Sequence, residues 1–157
     1  MTAVIGTIPG AFEITSTDKD TDFEGSANDG VALEEDISFP TDWVTAGIQT
    51  VEIINLTIQS DQNLQWDISL YATDAHGNSD QDLDKIITTV NYATTDAIQT
   101  AAANQWRYDK NPTFRPFIYI DEDNTSEFHI TLIPRGGNKN AGGTGEVVIK
   151  VHAVPIV

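Results

Sequence analysis

The sequence has no cysteine. That excludes a disulfide framework and any thiolate nucleophile or thiolate metal ligand. Basic residues are scarce: eight Lys and Arg stand against 24 Asp and Glu, for a formal net charge of -16. A nucleic-acid partner needs clustered cations to displace counterions from phosphates, and an anionic membrane surface needs the same. No such cluster is present, so neither partner is expected. Long apolar runs are also missing, and none nears the roughly 20 residues of a membrane-spanning helix. Residues 1–17 lack the basic start and unbroken apolar centre of a secretory leader, and none is expected. No GxSxG elbow occurs, and the three histidines form neither HxH nor HExxH. The acidic excess is also unevenly placed. Residues 1–106 hold 18 acidic and two basic residues, whereas residues 107–157 hold six of each.

What the sequence does contain is alternation with period 2, the mark of half-buried strands. In LQWDISLYA, Trp66, Ile68 and Leu70 share one face. In SEFHITLI, Phe128, Ile130 and Leu132 point one way, and Glu127, His129 and Thr131 the other. In GEVVIKVHA, Val147, Ile149, Val151 and Ala153 form the apolar face. Residues 47–58 read as a long strand, and 31–39, 85–92 and 114–121 as shorter ones, with 3–8 and 11–15 near the start. Pro116 demotes the beginning of the 114–121 strand to an edge or bulge. TTDAIQTAAAN, residues 94–104, predicts the one short helix, with Thr95 or Asp96 as its cap. Residues 18–30 and 134–145 read as loops, the second as a flexible hairpin connection. One all-β domain of about eight strands over 17–157 follows: a two-sheet sandwich, jelly-roll-like, with an immunoglobulin-like sandwich as the alternative. Residues 1–16 form an apolar N-terminal arm or edge strand outside it.

Several patterns bear on chemistry. Residues 137–142 have the glycine spacing of a phosphate-binding loop, but Gly143 replaces the lysine and a strand follows where a helix is required. Asp18, Asp20 and Asp22 alternate as calcium-loop ligands do, yet Phe23 occupies the glycine position. Residues 74–84 form a second acidic loop. No cofactor is expected beyond a weak calcium possibility at one of these loops. The acidic centre of YIDEDNTSEFHITL reads as a hairpin turn, with His129 and, on its own strand, His152 facing solvent. Glycoside hydrolysis needs two carboxylates at a set separation, which 24 acids leave undefined. The chain reads as non-enzymatic.

Surfaces are the better prospect. Trp66 is in phase with core residues, whereas Trp43 and Trp106 lie among polar loop residues. Those two rings are candidates for a partner surface, including stacking on sugars in a carbohydrate-binding or adhesin sandwich. The apolar residues Val4, Ile5, Ile8 and Phe12 are candidates for an arm that adds a strand to a neighbour.

The C-terminal third, FRPFIYIDEDNTSEFHITLIPRGGNKNAGGTGEVVIKVHAVPI, runs strand, tight turn, strand, glycine-rich loop, strand. Together with the acidic composition and the apolar ends, it resembles tailed-phage virion proteins, particularly the decoration (cement) proteins of the capsid exterior. The resemblance implies a homotrimer that bridges the major capsid protein or other virion proteins. It carries over no catalytic or metal residue.

Overall fold

The computed structural model describes residues 17–23, 25–74, 85–100, 105–108, 114–141 and 145–156. Val4, Ile5, Ile8 and Phe12 lie outside them. The described residues form ten strands: β1 Thr17–Asp22, β2 Leu33–Ser38, β3 Thr50–Ser60, β4 Gln65–Tyr71, β5 Ile86–Tyr92, β6 Ile98–Gln99, β7 Trp106–Tyr108, β8 Phe117–Ile120, β9 Glu127–Arg135 and β10 Val147–Pro155.

They pair antiparallel in two sheets. One has the order β1-β10-β3-β7-β6, with β8 also on β3; the other runs β2-β9-β4-β5. The short β6 and β7 are additions. Without them, the eight long strands in chain order fall into the sheets first–eighth–third–sixth and second–seventh–fourth–fifth. The fold is a jelly roll. The inward faces meet in one core: Ile53, Leu56, Val147, Ile149 and Val151 from the first sheet lie against Trp66, Ile68, Leu70, Phe128, Ile130 and Leu132 of the second. The alternation in the sequence selects these side chains, since every second residue must face inward.

Several expectations need correction. No α-helix forms over the described part of residues 94–104. The Asp96 carboxylate accepts the Ala93 N–H (2.8 Å) and closes one 3-10 turn, Thr94–Asp96. Ala97 then returns to extended backbone, and Ile98–Gln99 pair with Arg107 and Trp106. The described α-helix, α1, is instead Thr41–Thr45, directly after Pro40. The polar stretch from residue 18 is not all loop, because Thr17–Asp22 pairs with β10 throughout. Pairing with a neighbour overrides local composition in strands.

The two connections read as hairpins are also different. β8 pairs with β3 and β9 with β2 and β4, so residues 121–126 cross between sheets. The glycine-rich segment likewise carries the chain from β9 to β10, in opposite sheets, so His129 and His152 do not become neighbours in a hairpin. Its described part is anchored, not loose. Ala27 and Lys139 exchange backbone bonds (3.1 and 2.8 Å), and Gly136 N–H donates to Asp29 (3.0 Å).

Candidate functional site

Among the described residues, a cluster of carboxylates gathers around the fully buried imidazole of His129, on the outer face of the four-stranded sheet. β9 is an inner strand of that sheet, so His129 sits opposite Asp36 of β2 and Tyr71 of β4. Alternation sends Phe128 and Ile130 into the core and His129 outward. The expectation that His129 faces solvent fails all the same, because its exposure is 0%. Residues 121–126 fold over it. Asn124 and Ser126 adopt φ of 61° and 62°, the left-handed region that asparagine tolerates. Ser126 is held there by its N–H donating to the Asp121 carboxylate (2.8 Å).

The result is an imidazole with oxygen at both nitrogens. Nδ1 lies 2.7 Å from Asp36 Oδ1. Nε2 lies 3.0 Å from Thr125 Oγ1 and 3.3 Å from Asp123 Oδ1. The ring's own backbone N–H donates to Tyr119 Oη (3.1 Å), whose hydroxyl donates to the Glu127 carbonyl (2.9 Å). Asp123 also accepts the Asp74 N–H at 2.7 Å, which ties the turn to the end of β4. Beside it, Lys85 pairs with Glu122 at 2.5 Å.

Burial alone would push the His129 pKa down. The bonds and charges of Asp36 and Asp123 outweigh it and hold the imidazole above its ordinary value. Asp123 is partly desolvated, which opposes ionisation, yet the Asp74 N–H and its other bonds hold its carboxyl below the usual range. Asp121 is pushed up, first by burial and then by the neighbouring Asp123. Ligand atoms of Asp36, Asp74 and His129, and of Asp121, Asp123 and His129, lie within 4.8 Å of one another. With Asp36 at Nδ1 and Thr125 and Asp123 at Nε2, a metal ion would reach the ring only by displacing one of these partners. The arrangement is that of a hydrogen-bonded clamp joining β2, β9 and the 121–126 crossover.

The other candidates fare unevenly. Trp43 is not a surface ring: its exposure is 0%, and it stands edge-on to Phe39 with centroids 5.8 Å apart. The helix Thr41–Thr45 turns it inward, and a buried ring cannot stack on a partner. Trp106 is half-buried and packs against the core. Asp18, Asp20 and Asp22 lie on a paired strand, not in a calcium loop. Residues 75–84, most of the second acidic loop, lie outside the described residues. Lys139, within the glycine-rich pattern, is 1% exposed, and its Nζ donates to the carbonyls of Gly25 (2.6 Å) and Asn140 (3.1 Å). It ties loops together and presents no ammonium to a phosphate.

One surface feature went unnoticed in the sequence. Ile118, Ile120 and Ile156 are exposed at 45%, 46% and 42%. The register sets Ile120 beside Thr50 and Ile118 beside Glu52, with Val154 on the far side of Glu52. Ile156 N–H donates to Thr50 O (2.9 Å). These residues therefore cluster on the outer face of the six-stranded sheet, across β8 and the end of β10, around Thr50 and the exposed Glu52 of β3. The signal was present: in FIYI and HAVPIV both strand phases are apolar, so one phase must face outward.

The sequence matches no protein-family model and no curated relative. Among solved structures it shows a likeness to the VP2 subviral particle of infectious bursal disease virus, at TM-score 0.34 and 14% identity, over 96% of this chain. The chain spans 37% of the length of that protein. A likeness at this score fixes neither fold nor function; the strand order above establishes the jelly roll.

Proposed function

We propose that the chain is a non-enzymatic virion structural protein, a decoration protein that binds the exterior of an assembled capsid and works as a homo-oligomer, a trimer by its resemblance. The observation that carries this reading is the apolar patch of Ile118, Ile120, Val154 and Ile156 on a strongly acidic sandwich. A patch of that kind on a soluble, self-repelling body suits a protein partner. The polar cluster around His129 has its hydrogen bonds made within the protein and serves the fold. Stabilisation of the lattice would follow by mass action, since the protein would bind assembled subunits and not dissociated ones.

A carbohydrate-binding sandwich is the competing reading, and burial of Trp43 removes one of its two rings. The test is composition and binding together. Particles purified from the organism encoding the chain should contain it at a fixed ratio to the major capsid protein, and its removal should lower their disassembly temperature. Its absence from such particles, or a monomer that binds glycans and loses them on Trp106→Ala, would overturn the proposal.

A further inference from the structure

Carboxyl groups face the buried imidazole of His129 from the elements packed around it. Asp36 comes from β2, Asp74 from the end of β4, Asp121 and Asp123 from the crossover, and Glu127 from β9 itself. Tyr71 of β4 lies opposite the histidine in register, and the Tyr119 hydroxyl of β8 accepts its backbone N–H. Lys85, beside the crossover, is paired with Glu122.

The number of protons on the ring decides which bonds this arrangement can hold. With both nitrogens protonated, Nδ1–H donates to Asp36 (2.7 Å), and Nε2–H faces Thr125 Oγ1 (3.0 Å) and Asp123 Oδ1 (3.3 Å). The Thr125 hydroxyl is then free to donate to Asp123 Oδ1, 3.0 Å away. A neutral ring keeps one N–H, and its other nitrogen becomes an acceptor. Asp36 holds the shorter bond, so the remaining proton belongs on Nδ1. Nε2 then needs a donor, and the Thr125 hydroxyl stands within reach. Once that hydroxyl turns to Nε2, Asp123 Oδ1 loses the imidazolium and the hydroxyl together. An oxygen of Asp121 lies within 4.8 Å of it, and the two carboxylates are left to repel without a cation beside them.

Three backbone bonds hold the crossover down, and two of them end on these carboxylates. Ser126 N–H donates to Asp121 (2.8 Å), Asp74 N–H to Asp123 (2.7 Å), and Glu122 N–H to the Ala72 carbonyl (2.8 Å). We propose that the 121–126 crossover is a proton-operated latch, shut on the four-stranded sheet while the His129 ring is a cation and lifted when the ring gives its proton to solvent. Asp36 and Asp123 outweigh burial and keep the ring charged beyond its ordinary value, so the latch opens above about pH 6.5. Asp121 follows directly on Ile120, so opening loosens the end of β8 that carries the exposed isoleucines. The inference goes beyond the capsid reading and does not rest on it.

The test is amide hydrogen exchange of the full chain from about pH 6 to about pH 9, corrected for the intrinsic rate at each pH, without urea and in low urea. The N–H groups of Asp74, Glu122 and Ser126 should exchange faster than those inside β4 and β9. Low urea should leave them unchanged while it speeds the core ones, the mark of a local opening. Above about pH 6.5 their protection should fall by about tenfold per pH unit, the limit for an opening that releases one proton, and level off once the folded ring is neutral. His129→Gln should remove that slope. A second measurement needs no variant: in the native chain with isotope-labelled histidine, magnetic resonance should find the neutral His129 ring protonated on Nδ1, with its midpoint where the protection levels off. Crossover amides that speed up with urea as the core does would mean that only global unfolding exposes them. Protection independent of pH, a slope kept by His129→Gln, or a ring already neutral at pH 6 would mean that the proton does not hold the crossover. Each of these results overturns the inference.

Discussion

His129 shows how an outward-facing strand position becomes buried. Its pKa is raised in the folded chain, so its contribution to stability is complete below the unfolded imidazole value and is lost as pH rises through the folded one. Asp123 is depressed, so its contribution is present above the unfolded carboxylate value and lost as pH falls through the folded one. Both act in full from about pH 4 to about pH 6.5. Asp121, pushed up, opposes them once it ionises. At constant ionic strength, the thermal midpoint should fall from pH 6 to pH 9, and His129→Gln should flatten that fall. An equal slope in both proteins would show that the clamp does not titrate. His129→Ala leaves Asp36 and Asp123 without their shared cation and should cost about 3 kcal/mol in urea unfolding at pH 6. Trp43 gives the matching apolar case. Trp43→Ala should cost about 3–5 kcal/mol of stability, as large-to-small core substitutions do, with no change in partner binding per folded molecule.

At the scale of elements, faces were legible and partners were not. The alternation in 65–71, 127–135 and 147–155 named the core residues of β4, β9 and β10, because side-chain phase is a local property. Sheet membership depends on contacts between distant residues. The crossover at 121–126 therefore read as a hairpin, and the residue it covers, His129, read as exposed. The polar β1 was missed because its partner, β10, lies more than a hundred residues away. The helix at Thr41–Thr45 was missed because five residues are too few to show a period. Of the candidate site, the clustered acids of DEDN were visible, and Asp36 was not connectable to them. The glycine-rich connection makes its own prediction. A Cβ on Gly145 would stand 2.2 Å from the Asn140 carbonyl oxygen, a backbone atom that cannot swing aside. Gly145→Ala should therefore cost about 1–3 kcal/mol, the range for overpacking, read from the urea midpoint.

The whole molecule carries a net charge of -16 on 157 residues. Self-repulsion of that size opposes compaction and is screened once the Debye length falls below the spacing of the charges. The thermal midpoint should rise by several degrees between 20 mM and 500 mM sodium chloride. A flat or falling response would mean that attractive pairs such as Lys85–Glu122 outweigh the repulsion. If copies of the chain associate, that association should strengthen over the same range, for the same reason, as a rise in light-scattering mass across the salt series would read.

The position of β10 has a consequence for how the protein is made. β10 lies between β1 and β3 and pairs with both, and it is the last described strand to be synthesised. Until it leaves the ribosome, β1 has no strand to join and β3 exposes one edge along most of its length. The first sheet closes in one late step, as a zip pulled shut from its final tooth. Contacts this distant make for slow folding, on the order of milliseconds to seconds. A chain stalled or cut before residue 147 would leave the acidic β1 and one edge of β3 without their shared partner, and both would be open to proteolysis.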